Sequence, residues 1–207
     1  MFDAKPAGPV LETKRLRLRP MLSADAASLH AVFGDTETMR YMDHPTSREI
    51  GDTISKVQFL TIALPEWHHA WAVLQKESET PIGMVNYHHR ESWNRRLEVG
   101  FILARPYWRQ GLMSEAVAAL LDYCFDDLAM HRVEATIDPQ NDVSIRFVQR
   151  MGFRCEGGPL RDRVFVAGEY RDLMMYALLR EEWVRSAAHR QGGSERDPLR
   201  DLATAAK

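Results

Sequence analysis

The stretch Trp108-Arg109-Gln110-Gly111-Leu112-Met113-Ser114-Glu115-Ala116 constrains this chain more than any other. Before it, the run Leu97-Glu98-Val99-Gly100-Phe101-Ile102-Leu103 is strand-like, and Arg105-Pro106 marks a break. After its single glycine, Met113, Val117, Leu120, Leu121, Cys124 and Leu128 fall on one stripe of a helix. A strand, a turn and a helix in that order leave a row of unpaired backbone N–H groups at the helix start. Their partial positive charge suits a phosphate or pyrophosphate, so a phosphorylated cofactor is expected there.

The remaining composition narrows the class. A chain of 207 residues fits one domain with a tail. A formal charge of -2 supplies no basic field for nucleic acid. The alternation Lys14-Arg15-Leu16-Arg17-Leu18-Arg19 reads as a strand with one solvated face. Cys124 and Cys155 are too few for a disulfide framework and lack metal spacing. His68-His69 and His88-His89 are adjacent pairs, not the i, i+4 spacing of helical ligands, and no metal is expected. His88 and His89 read as plain surface residues, or one of them as an acceptor contact. No run approaches the ~18 apolar residues of a membrane span and the N-terminus has no apolar signal core, so a cytoplasmic protein is expected.

Leu11 to Arg19 reads as one strand ended by Pro20, and Ser23 to Phe33 as a helix capped by Ser23. A second helix opens at Thr46-Ser47-Arg48-Glu49, a capping-box pattern, with Ile50, Ile54, Val57, Leu60 and Leu64 as its stripe. Trp71–Lys76, Ile82–His89, Arg96–Leu103 and Arg132–Ile137 read as strands. Asn141 is placed to cap a helix reaching Met151, with Gly152 just beyond it. Phe153–Gly157 and Val164–Leu179 supply strands about a turn near Ala167-Gly168-Glu169. The sum is a mixed α/β (α+β) domain with one central sheet. Trp67, Trp71, Trp93, Tyr87 and Tyr41 belong either to its core or to an acceptor groove.

Trp108 to Met113 resembles the Q/R-x-x-G-x-G/A loop of the GNAT superfamily of acetyl-CoA-dependent N-acetyltransferases, with Gly111 on the central glycine. Trp108 stands where Gln or Arg is usual, and Met113 where Gly or Ala is usual. Asn141-Asp142-Val143-Ser144 with Met151-Gly152-Phe153 resembles the superfamily's N-x-x-S/A…L-G-F segment. Leu11 to Arg19, Gly111 to Ala116, Met130-His131-Arg132-Val133 and Tyr170-Arg171-Asp172 are similar to the Rim branch. That branch acetylates the N-terminal alanine or serine of ribosomal proteins. The match covers residues 10–183, leaving 184–207 as a polar tail expected to be partly disordered.

The resemblance implies a mostly antiparallel central sheet flanked by helices and splayed between its fourth and fifth strands, with acetyl-CoA as co-substrate. Pantetheine would lie between Glu98–Leu103 and His131–Ile137. Backbone N–H groups of Arg109, Gln110, Gly111, Leu112, Met113 and Ser114 would hold the pyrophosphate, main-chain donors that a bulky Met113 leaves intact. Backbone groups of Phe101, Ile102 and Leu103 would bond the pantetheine amides, one N–H near a bulge polarising the thioester carbonyl. Asn141 would serve as helix cap and cofactor contact.

Glu98 resembles the acidic residue many members carry on this strand and is the candidate general base; the alternative only pairs it with Arg95, Arg96 or another surface cation. The position of the usual tyrosine acid is Val148, which leaves Ser144 to hydrogen-bond the departing sulfur or to serve only as a first-turn residue. The implied reaction is direct acetyl transfer to a primary amine, foremost a peptide N-terminal α-amine. An aminoglycoside, polyamine or amino acid acceptor, and a non-catalytic acyl-CoA-binding module, are the alternatives. The implied partners are acetyl-CoA and an amine acceptor, with neither nucleic acid nor membrane, and with a homodimer left open.

Overall fold

Alternating apolar residues build the centre of the molecule. A computed structural model describes residues 8–62 and 64–192. Its strands are β1 (Leu11–Glu12), β2 (Leu16–Pro20), β3 (His69–Gln75), β4 (Pro81–Glu91), β5 (Arg96–Leu103), β6 (Arg132–Ile137), β7 (Arg154–Val166) and β8 (Glu169–Leu179). They form one sheet in the order β1-β2-β3-β4-β5-β6-β8-β7. Neighbours run antiparallel except β5 and β6, which are parallel. The helices are α1 (Ala26–Phe33), α2 (Thr36–Met39), α3 (Ile50–Thr61), α4 (Leu112–Asp122), α5 (Asp142–Arg150) and α6 (Arg180–Gly192). This is the expected mixed α/β architecture, a mostly antiparallel sheet flanked by helices.

Period two sends successive side chains to opposite faces, so the sheet carries two cores. On one face Val73, Val85, Leu97, Val99, Val133 and Ala135 pack with Leu120 and Leu121 of α4 and Phe147 of α5. On the other, Ala70, Ala72, Leu74, Met84 and Ile102 pack with Leu29 and Phe33 of α1 and Val57 of α3. Asn141 caps α5 as expected, its side chain accepting the Ser144 N–H at 3.1 Å, and Gly152 follows with φ 99°. Cys124 is fully buried, and burial pushes its thiol pKa up.

Four local expectations change. The Leu11–Arg19 alternation is folded back on itself: the Thr13 N–H donates to the Leu16 carbonyl at 3.0 Å, and Leu11 pairs with Leu18. This extra edge strand shifts the count, so the expected splay lies between β5 and β6. Ser23 is not a cap, because the Asp25 carboxylate takes the Leu22 N–H at 2.8 Å while gripping Arg19. The α3 start moves on from Thr46, because Asp52 accepts the Arg48 N–H at 2.7 Å and the Glu49 N–H at 3.3 Å. Its inward stripe is then Thr53 and Val57 with half-buried Leu60 beside them, while Ile50 and Ile54 are exposed.

At the C-terminal end, residues 184–192 continue α6 instead of starting a tail, and the Trp183 indole anchors that helix to Asp122 at 2.8 Å. The disorder expected further on falls in 193–207, outside the described residues. Among the described residues no helix is long and apolar enough to cross a membrane.

Candidate active site

The parallel ladder between β5 and β6 runs only from Arg96–Arg132 to Glu98–Glu134. Beyond it the strands part, β5 continuing to Leu103 and β6 to Ile137. The Ala104 N–H donates to the Ile82 carbonyl at 2.9 Å, so even-numbered residues of this stretch aim their backbone at β4. Ile102, paired with Met84, therefore turns its backbone away from the opening, contrary to the expectation for it. Phe101 presents both its N–H and carbonyl to the opening. Leu103 presents only its N–H, because its carbonyl accepts the Trp108 indole at 2.6 Å. The expected bulge on this strand is absent, since the β4–β5 register is unbroken from Gly83–Leu103 to His88–Glu98. The irregularity sits on β4 instead, between His88 and Glu91.

At the mouth of the opening Arg109 and Gly111 have φ 60° and 74°, and α4 starts at Leu112. The first intrahelical bond is from the Glu115 N–H to the Gly111 carbonyl, at 3.2 Å. The Leu112, Met113 and Ser114 N–H groups precede it, and no side chain caps the helix at Gly111. Arg109, Gln110 and Gly111 are exposed, while Leu112 is buried and can offer only its backbone. The loop is braced from a distant part of the chain. Glu115 accepts the Thr13 hydroxyl and the Arg15 N–H, both at 2.6 Å, and Arg15 Nη1 donates to the Gln110 carbonyl at 3.0 Å. Trp108 thus pins the loop to β5, and Met113 packs against the core.

Where the strands separate, Thr136 loses a ladder partner, and the Glu98 carboxylate replaces it. Oε1 accepts the Thr136 N–H at 3.1 Å and also its hydroxyl. Oε2 faces His89 Nδ1 at 3.3 Å and His88 Nε2 at 3.7 Å. Burial pushes the Glu98 pKa up, but His88, Thr136 and His89 outweigh it and hold the carboxyl at about 2. Pairing with Arg95 or Arg96 does not occur. Arg96 binds Glu91 at 2.5 Å and Glu134 at 3.2 Å, and Arg95 donates to the Ala129 carbonyl. Glu134 lies between Arg96 and Arg132, which offset its charge. Glu98 is the carboxylate at the splay faced by imidazoles rather than guanidiniums.

Neither the His88 contact nor its support was legible in the spacing. His88 Nδ1 lies 3.3 Å from the Asn86 amide, and that amide occupies the space a Cβ on Gly100 would fill, 2.4 Å from Asn86 Oδ1. Ser144, half-buried in the first turn of α5, shares a helix face with Phe147, which meets Phe101 edge-on at 4.8 Å. Val148 is buried in the core. Beyond the open end of β6, a polar cavity of about 380 Å³ is lined by Arg40, Tyr41, Asp138, Glu169, Arg171 and Asp172, among others. The Arg171 guanidinium donates to the Arg40 carbonyl at 2.7 Å and ties its two walls. Of the five aromatic candidates, Trp71 and Tyr87 are core, Trp67 and Trp93 are exposed, and Tyr41 lines this cavity.

The family model described as "Acetyltransferase (GNAT) domain" matches residues 15–154. The uncharacterized N-acetyltransferase p20 of Bacillus licheniformis is 32% identical over 174 residues, 84% of this chain and 97% of that protein. Spermidine N(1)-acetyltransferase of Escherichia coli is 24% identical over 181 residues, 86% of this chain and 92% of its own length. Among solved structures, an acetyltransferase of Salmonella typhimurium that modifies the N-terminal serine of ribosomal protein L7/L12 superimposes with a TM-score of 0.73. Its identity is 20%, covering 83% of this chain and 99% of that one.

Proposed function

Because the chain belongs to the acetyltransferase (GNAT) family, its model spanning residues 15–154, we propose that it transfers acetyl from acetyl-CoA directly to a peptide N-terminal α-amine. The observation that carries this reading is the parted β5–β6 pair, with an uncapped helix start at its mouth and the Glu98 carboxylate at its apex. The amides of Arg109 to Ser114 take the pyrophosphate, favoured by the helix dipole. The Phe101 carbonyl and the Leu103 N–H align pantetheine, and Asn141 contacts the cofactor while capping α5.

The proton path follows from magnitudes. A carboxyl held at about 2 cannot strip a resting α-ammonium of pKa near 8; a gap of roughly six units is ~8 kcal/mol. Glu98 instead attracts the ammonium and orients it, or a water, so that the small neutral fraction attacks. Once the N–C bond forms, the intermediate's N–H is acidic, and its proton leaves through Glu98 and water to solvent. The Phe101 N–H stabilises the thioester oxygen while charge develops on it. The C–S bond then breaks, and the Ser144 hydroxyl hydrogen-bonds the departing thiolate, which takes its proton from solvent.

The polar cavity favours a peptide end. Arg40 and Arg171 suit the carbonyl or carboxylate oxygens of a peptide and repel a polycation, while Asp138, Glu169 and Asp172 offset their charge. The three carboxylates are also the observation behind a second reading, a polyamine acceptor like that named for the Escherichia coli relative. Free CoA release, measured for peptides starting with Ala, Ser or Met beside spermidine and an aminoglycoside, separates the two. The peptides are expected to show the highest kcat/KM; transfer to spermidine alone replaces the acceptor. Glu98→Gln is expected to lower kcat about 100-fold at unchanged acetyl-CoA affinity. Wild-type kcat in that variant from about pH 6 to 9 would remove Glu98 from the mechanism.

A further inference from the structure

We propose that His88, His89 and Glu98 form a binding site for a divalent transition metal of the Zn²⁺ class, and that metal held there excludes the amine acceptor. Adjacent residues of a regular strand point to opposite faces and cannot share a ligand. Here the β4 irregularity and the left-handed His89, φ 51°, break that rule. The two imidazoles meet edge to face with centroids 4.7 Å apart. Glu98 sits directly across the ladder from His88. One nitrogen from each histidine and one Glu98 oxygen lie within 4.8 Å of one another.

A tetrahedral zinc with ~2.0–2.1 Å bonds has edges of ~3.3 Å, so side-chain rotations of about an ångström close the set. Two imidazoles and a carboxylate with an open fourth position match a common Zn²⁺ donor set. The outer contacts that orient such ligands are present as well. With its amide turned so that Oδ1 accepts the Nδ1–H, Asn86 holds His88 with Nε2 free for the ion, and Thr136 holds Glu98 by Oε1 and leaves Oε2. The nearby guanidinium of Arg96 is spent on Glu91 and Glu134 and adds no cation to the cluster. His89 is 63% exposed and opens the site to solvent. A bound dication takes the anion that the substrate ammonium needs; this exclusion rests on the acceptor reading above, whereas the binding does not.

The test is titration of the full chain with Co²⁺, read by visible d–d absorption, with Zn²⁺ displacement followed by calorimetry. One equivalent is expected to bind in a low-symmetry, four-coordinate spectrum. His88→Gln, His89→Gln and Glu98→Gln should each weaken binding at least 10-fold, and Asn86→Ala by about 10-fold, all with thermal unfolding recorded to confirm the fold. Zn²⁺ should raise KM for the amine, not for acetyl-CoA, and chelator should reverse it. A spectrum of free hydrated Co²⁺ only, or one unchanged in the folded His88→Gln/His89→Gln double variant, overturns the site. Stoichiometric binding without any effect on transfer leaves the metal site but overturns the exclusion and with it the placing of Glu98 at the acceptor. Loss of kcat in Glu98→Gln without Co²⁺ binding does the reverse.

Discussion

Gly100→Ala tests whether the support of His88 matters to catalysis. The backbone at Gly100 is not in the left-handed region, so alanine meets no conformational barrier. The conflict is a single contact, the new Cβ at 2.4 Å from Asn86 Oδ1, against an ordinary separation of about 3.4 Å. The Asn86 amide is the far end of a flexible side chain and yields by about an ångström. It cannot do so and keep the 3.3 Å contact with His88 Nδ1. Folding stability should therefore change little, because alanine recovers ~0.4–1 kcal/mol through the unfolded chain. The lost hydrogen bond, at ~0.5–1.5 kcal/mol, corresponds to a fall of about 2- to 12-fold in kcat/KM if His88 must be held. The assay is CoA release with a peptide acceptor in Gly100→Ala, Asn86→Ala and the double variant, each with its melting temperature. The double variant should be no worse than either single one. Wild-type kcat/KM in a folded Gly100→Ala protein would refute the orienting role of Asn86.

Other substitutions and conditions separate the remaining claims. Gly83→Ala, on the neighbouring strand, puts a Cβ 2.3 Å from the Ile102 carbonyl and 3.0 Å from the Leu103 Cα. Backbone cannot swing aside, so a loss of ~2 kcal/mol is expected, seen as a Tm lower by about 4–8 °C; an unchanged Tm would contradict the register. His69 is buried beside Trp71, and burial, with His68 nearby, lowers its pKa from 6.5 to about 4. The unfolded chain therefore binds the extra proton. Stability should be full above pH 6.5, fall by up to ~3 kcal/mol as pH drops toward 4, and then level off in this contribution. Denaturant unfolding of wild type and His69→Gln over that range checks it, and parallel curves would exclude His69 as the source.

Local chemistry was readable wherever one segment contains its own reason. The bounds of β5, Arg96 to Leu103, follow from its alternation, and Gly152 stands just past a helix end, where a left-handed residue suits, with φ 99°. Asn141 is legible as a cap because its partner, the Ser144 N–H, is three residues away. Misreadings arose where two local solutions compete. Asp52 displaced the Thr46–Glu49 box as the α3 cap, and Thr13 turned one nine-residue alternation into two paired strands. Ile102 was misread for a subtler reason, since apolar alternation tells which way a side chain points but not which edge its backbone faces.

What the amino-acid order determined alone is the kit: a strand carrying a carboxylate, a glycine-started helix after it and a capped second helix, with an anion site at the first helix start; acetyl-CoA entered through the family resemblance. Those features depend on dihedral preferences and on bonds spanning a few residues. The tertiary structure decided what Glu98 meets, because its partners Thr136, His88 and His89 come from two other strands and one of them only through a bulge. It also joined Arg15 to Glu115 across a hundred residues, and Arg40, Asp138 and Arg171 into one cavity. Such pairings cost loop closure and depend on strand order and register, which a linear pattern does not encode.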